Sequence, residues 1–290
     1  MALPTTEQLH EMAEGLDARP LADVAVALAA GQAQAAATVS KSASGIAKAA
    51  ESMAATISKG GTLIYAAAGS SALMALADAA ELNGTYGIPA SQVRIEMAGG
   101  LPTGPEMPGA TEDGTTRLES IGRDDTVIAV SASGTTPYTL AAAETARRAE
   151  ATVVAIANNP DAPLLALAHH PICLETPPEL IAGSTRMGAG TAQKIALNML
   201  STLMAVALGH VHDGMMVNFV ADNAKLRSRA IGIVETIAGV DASCAAEALK
   251  LASGHPKTAV LIAHAGLAPE AAEEILNWTQ GNLRAALARL

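Results

Sequence analysis

The chain reads as an α/β protein on a mostly parallel sheet, and three observations predict that class. Short apolar runs alternate with Ala/Leu-rich helical segments. Two of the runs pass through Gly/Ser/Thr turns straight into helices, and Gly and Pro punctuate the intervals. Apolar runs without polar alternation suit strands buried on both faces, and helices between them imply right-handed crossovers.

Taken in order, residues 5 to 58 read as two or three helices, with Leu21–Ala37 and Ser44–Ile57 the clearest, closed by Gly60-Gly61. Strands follow at Thr62–Ala67, Val93–Met97, Thr126–Ser131, Thr152–Ala157 and Pro171–Leu174. Between Gly99 and Gly114 the sequence GGLPTGPEMPGATEDG is too rich in Gly and Pro for regular structure, and such a segment in a compact domain is usually functional or mobile. Long helices are expected from Arg186 to Leu208 and from about Phe219 to Ile237. Beyond Gly239, short helices in DASCAAEALKLA and APEAAEEILNWTQ flank the segment Lys257–Ala263 as a small helical appendage. The expected domains are a helical segment over 1–58, an α/β domain over 59–238 and a small helical domain over 239–290.

Composition narrows the function. Half the residues are hydrophobic but only five are aromatic, so Ala, Leu, Ile, Val and Met must build the core and ring stacking is no main mode of recognition. A net charge of −10 argues against nucleic acid or an anionic membrane as partner. Cys173 and Cys244 have no metal-type spacing and fit a reducing compartment. The N-terminus MALPTTEQLHEMAEGLD is not a signal peptide, and the longest apolar stretch, Ile195 to Gly209, is shorter than the roughly 20 residues of a membrane span. A cytoplasmic protein is expected.

The chemistry starts at the two hydroxyl-rich turns. LIYAAAGSSALMALADAAE places Ser70 and Ser71 after Gly69; VIAVSASGTTPYTLAAAE places Ser131, Ser133, Thr135 and Thr136 around Gly134. Each presents backbone N–H groups and hydroxyls at a helix N-terminus, where the partial positive charge suits a dianion. Helix capping alone explains one such turn. Two of matching design at the carboxyl ends of strands point to a shared phosphate site. Neither matches a nucleotide-binding loop.

Carboxylates come next. The pattern puts Glu81 about three turns into the helix after the first turn, with Asp78 on the same face, and Glu112 and Asp113 in the irregular segment. Each has a solvated-charge reading; a pair of positioned carboxyls also supplies the acid and base that elimination next to a carbonyl needs. In PPELIAGSTRMGAGTAQKIALNML, Gly183-Ser184-Thr185 reads as a third anion trap, with Glu179, Ser184, Arg186 and Lys194 as candidate substrate contacts. His210 and His212 in GHVHDG lack a third metal ligand, and His169-His170 reads as a loop before a strand.

The series AGSSALMALADAAE, SASGTTPY, ELIAGSTRMGAGTAQKIALNMLST and MMVNFVADNAKLRSRA resembles the N-acetylmuramic acid 6-phosphate etherases of the sugar isomerase (SIS) superfamily. The likeness runs from about Gly60 to Ala230, GSTRM through LNMLST being its most specific part, and the C-terminal helices resemble that family's UBA-like tail. The resemblance implies an SIS-type three-layer sandwich, a homodimer, a phosphorylated amino sugar as substrate, and no metal or organic cofactor. It implies a lyase that eliminates the C3 ether as D-lactate and adds water to give N-acetylglucosamine 6-phosphate. It assigns Glu81 as acid, Glu112 as base, and Ser71, Ser131, Ser133 and Thr136 as phosphate contacts. Three family cations are replaced here, by Leu73, Thr135 and Gly188. A charge-assisted hydrogen bond contributes roughly 1.5–3 kcal/mol, so their loss is expected to weaken recognition of an anionic substrate. Two other readings share the phosphate site: an aldose–ketose isomerase, against which stands the lack of a carboxylate in 191–200, and a sugar-phosphate sensor, against which stand Glu81 and Glu112.

Overall fold

The computed structural model describes residues 3–102, 104 and 118–290. Two units divide the chain: Met1–Ala80 with Ala90–Ser201, and Glu81–Pro89 with Thr202–Leu290. The division falls at Ser201/Thr202, so residues 202–238, expected with the sheet, group with the C-terminal helices.

In the first unit, helices α1 (Leu21–Thr38) and α2 (Ala43–Ser58) precede β1 (Leu63–Ala67) and α3 (Gly69–Ala79). In the second unit's first segment lies α4 (Leu82–Tyr86). The sheet unit continues with β2 (Val93–Met97), β3 (Thr126–Val130), α5 (Pro137–Arg148), β4 (Thr152–Ala157), α6 (Pro163–Ala166) and β5 (His170–Cys173). Helix α7 (Gly188–Ala207) follows. The five strands are all parallel, in the order β2-β1-β3-β4-β5. Chain direction across the sheet therefore reverses between β1 and β3, and open α/β sheets bind ligands at the carboxyl side of such a switch point.

The strand sequences explain the order. β1 and β3 are wholly buried and β4 nearly so, which is why LIYAA, TVIAV and TVVAIA carry no polar alternation; the edge strands β2 and β5 are only partly buried. One face presents Ile64, Ala66, Val127, Ala129, Val153 and Ala155 to α5 and α6. Small residues on both sides (Ala142, Ala143 and Ala146 on α5) let helix and sheet approach closely. The other face carries α2, through the Thr56–Thr126 hydroxyl pair at 2.7 Å, and α3, through Tyr65 to Asp78 at 3.1 Å. This is the expected three-layer α/β arrangement.

The second unit holds a two-stranded hairpin, β6 (Val211–His212) and β7 (Met215–Met216), then α8 (Ala224–Ala238), α9 (Ala242–Leu251), α10 (Pro256–Ala265), α11 (Pro269–Trp278) and α12 (Leu283–Leu287). The expected helix from Phe219 starts only at Ala224, because the Asn223 side chain caps it by accepting the Leu226 N–H at 3.0 Å. The segment Lys257–Ala263 proves to be the body of α10, contacting α8, α9, α11 and α12. Residues 256–262 are all buried, so the helix shows no polar face and its period is invisible in sequence.

Candidate active site

Both hydroxyl turns leave the same end of the sheet. Ala67 and Val130, the last residues of β1 and β3, are register partners, so the two chains exit side by side. Tyr138 in the first turn of α5 forms a small buried cluster with Ala68 after β1 and Ala98 after β2, tying the three loops together.

The turns are built differently. After β1 the chain passes through extended Ala68 and Gly69 at φ +55° into α3, and no side chain caps the helix. Ser70 is half-buried and Ser71 is buried, yet the Ser71 hydroxyl has no hydrogen-bond partner among the described residues. The first N–H groups of α3 and this hydroxyl are thus available to an incoming anion.

After β3 the hydroxyls organise one another. Ser131 Oγ accepts the Gly134 N–H at 3.0 Å and pairs with Thr136 Oγ1 at 2.9 Å and Ser133 Oγ at 3.4 Å. Ser133 Oγ accepts both the N–H and the hydroxyl of Thr135, at 3.2 and 2.9 Å. Gly134 sits at φ +68°, and a Cβ there would lie 2.3 Å from the Ala162 Cβ, so only glycine fits the turn. Pro137 then opens α5 with no side-chain cap.

Behind this turn lies a support the sequence reading missed. Asn159 donates to the Ser133 carbonyl at 3.2 Å and to Thr6 Oγ1 at 3.2 Å, fixing the N-terminal turn against the loop. Asn158 accepts from Gln193 of α7 at 3.0 Å and donates to the Leu174 carbonyl at 3.1 Å. The available signal was two adjacent asparagines directly after the apolar run TVVAIA, at the carboxyl end of a strand.

At the third expected anion trap, Glu179 is buried, and its carboxylate accepts the N–H groups of Gly188 at 3.0 Å and Ala189 at 2.9 Å, at the start of α7. Its charge answers the helix dipole there, so Glu179 caps α7. Gly188 makes this possible: a Cβ would lie 3.0 Å from Ala35 Cβ and 3.1 Å from Glu179 Oε2. Ser184 is half-buried in the preceding turn, and Arg186 is exposed.

Lys194, Asn198 and Ser201 lie on one stripe of α7. Asn198 and Ser201 donate to Asp78 Oδ1 at 2.9 and 3.0 Å, and Tyr65 donates to Oδ2. Burial raises the Asp78 carboxyl above its usual range, against those hydrogen bonds and the Lys194 charge. Tyr65 is pushed well up by its own burial and then by Asp78. In the stretch that carries the most specific resemblance, Asn198 and Ser201 therefore hold α7 to α3, while Thr191 bonds Gln32 and Gln193 bonds Asn158.

Glu81 is not inside α3, which ends at Ala79; it is an exposed residue heading α4. Glu112 lies outside the described residues. Thr135 is exposed and Leu73 half-buried. His169 and His170 are engaged by the Val153 N–H and by Ser52, and His212 faces Asp213 at 3.5 Å.

Comparisons agree with this geometry. The SIS domain profile matches residues 105–203. A solved protein of Escherichia coli CFT073 superposes with a TM-score of 0.53 at 15% identity, covering 67% of this chain and 94% of that one, a likeness of fold. An N-acetylmuramic acid 6-phosphate etherase of Deinococcus radiodurans is 40% identical over 288 residues, 97% of this chain and 94% of the relative. One of Streptomyces coelicolor is 37% identical over 294 residues, 98% of this chain and 93% of the relative. With two hydroxyl turns meeting at the switch point of an SIS-type sheet and such identity over nearly its whole length, the chain belongs to the N-acetylmuramic acid 6-phosphate etherase family.

Proposed function

We propose that this protein is a carbon–oxygen lyase that cleaves the C3 lactyl ether of N-acetylmuramic acid 6-phosphate, giving N-acetylglucosamine 6-phosphate and D-lactate, a step of peptidoglycan recycling. The carrying observation is the paired exit of the β1 and β3 turns at the switch point, where helix N–H groups and hydroxyls face the same edge. There Ser70, Ser71, Ser131, Ser133, Thr135 and Thr136 hold the 6-phosphate.

With the sugar opened, the C2 proton is acidic because it lies next to the C1 aldehyde. Glu112 takes that proton, the C3–O bond breaks, and Glu81 protonates the departing lactate oxygen. Water then adds across the C2–C3 double bond, its hydroxyl to C3 and its proton to C2. Two such groups contribute roughly 10²–10⁴-fold each. Family membership and the DAAE sequence that carries Glu81 support the assignment. The site works in the cytoplasm, where phosphosugars are retained, and no helix among the described residues is long and apolar enough to cross a membrane.

The working unit is a homodimer. Its support is α1, an 18-residue helix with one buried residue, Ala35, and with Leu21 and Val26 more than two-thirds exposed. A dimer mass by light scattering is expected at micromolar concentration, and a monomer there refutes it.

The decisive experiment is incubation with N-acetylmuramic acid 6-phosphate in D₂O. Lactate release with deuterium at C2 is expected; a ketose product or binding without turnover would replace this reading with an isomerase or a sensor. Glu112→Gln should abolish C2 exchange, and Glu81→Gln should slow lactate release by roughly 10²–10⁴-fold.

A further inference from the structure

The segment MMVNFVADNAK takes no part in the phosphate turns, yet it walls a cavity of about 350 Å³ within the C-terminal unit. Phe219, Val220 and Leu276 supply an apolar side, and the N-terminus of α10 supplies the opposite chemistry. The first bond of that helix runs from Ala259 N–H to the His255 carbonyl, so the N–H groups of Lys257 and Thr258 precede any intrahelical acceptor.

Two buried side chains point to what is missing. Thr258 is 6% exposed and lines the cavity, and its hydroxyl has no hydrogen-bond partner among the described residues. Lys257 is equally buried, and its ammonium, with three donors, has one acceptor among the described residues, the Gly281 carbonyl. A cation in the first turn of a helix opposes the dipole, and none of the described residues lining the cavity is acidic. Burial pushes Lys257 down to about 8, and His210 is drawn down to about 4 by burial first and by the Lys257 charge second. In a chain of net charge −10, the cavity thus holds a buried ammonium and, among the described residues, no carboxylate in its lining.

We propose that this cavity is a binding site for a small organic carboxylate, its oxyanion on Lys257, the Thr258 hydroxyl and the α10 N-terminus, and its short apolar tail against Phe219, Val220 and Leu276. The proposal does not rest on the etherase reading, since none of its residues belongs to the phosphate turns.

The test is amide NMR of the full chain titrated separately with sodium butanoate and with inorganic phosphate. Saturable butanoate shifts at the Lys257 and Thr258 amides are expected, with weaker or no shifts from phosphate. Lys257→Met should weaken butanoate about 10–100-fold and Thr258→Val about 2–10-fold. The near-isosteric Thr258→Val keeps the test valid if Lys257→Met unfolds. Absence of saturable shifts at these amides, phosphate binding there without butanoate, or unchanged affinity in Thr258→Val would overturn the proposal.

Discussion

Helices α5 and α7 are both entered through Gly/Ser/Thr sequences, yet their dipoles are answered in opposite ways. At α5 the chain supplies only hydroxyls, bonded to one another around Ser131, and no side-chain cap. At α7 it supplies the Glu179 carboxylate itself, on the N–H groups of Gly188 and Ala189. Further along, Asp78 accepts from the Asn198 and Ser201 side chains, which fastens the middle of α7 to α3. A helix N-terminus becomes an anion site only where the protein withholds its own anion. By that rule α5, and α3 beside it, remain open to a ligand, and the start of α7 is occupied by Glu179.

The contrast can be broken in four places. Glu179→Ala should cost the most, about 4 kcal/mol by urea unfolding, because two buried N–H groups lose a charged acceptor. Phosphate affinity should be unchanged; tighter phosphate binding would mean that α7 hides a usable site. Gly134→Ala should cost about 3 kcal/mol, combining a left-handed backbone with the overlap on Ala162, and should also abolish turnover. A stable but inactive variant would show that the turn geometry serves binding alone.

Ser131→Ala removes the hub of the hydroxyl web. It should destabilise by about 1–2 kcal/mol and raise KM for the phosphosugar more than it lowers kcat. An unchanged KM would detach this turn from the phosphate. The smallest effect belongs to Asp78. Its native carboxyl lies above the unfolded value, so the folded state keeps the proton over that interval. Stability therefore falls as pH rises from the ordinary carboxylate range to the native value, and is flat above it. Asp78→Asn should flatten that slope in unfolding measured from about pH 3 to about pH 7. A slope that survives would assign it to other groups.

Much of the fold was legible in the sequence. Strands β2 and β4 fall where the apolar runs placed them, and β1, β3 and β5 fall within one residue, because buried parallel strands leave uninterrupted apolar runs; the short hairpin β6–β7 was not anticipated. Helix α10 was not legible, for the related reason that full burial erases helical periodicity. Within the candidate site, the two serine turns were readable from local chemistry. Asn158, Asn159 and the burial of Asp78 were not, since their partners lie far along the chain: Asn198 is 120 residues from Asp78, and Thr6 is 153 from Asn159.

By itself the sequence determined the α/β class, the pair of hydroxyl turns and the family to which the chain belongs, because each is written in short contiguous stretches. Only the tertiary structure decided that β3 lies beside β1, bringing those turns to one edge. It alone capped α7 with Glu179 and buried Lys257 in a lining with no carboxylate among the described residues. The physical reason is common to all three. Sheet order, burial and the pairing of charges depend on which distant segments meet, and local propensity carries no record of that meeting.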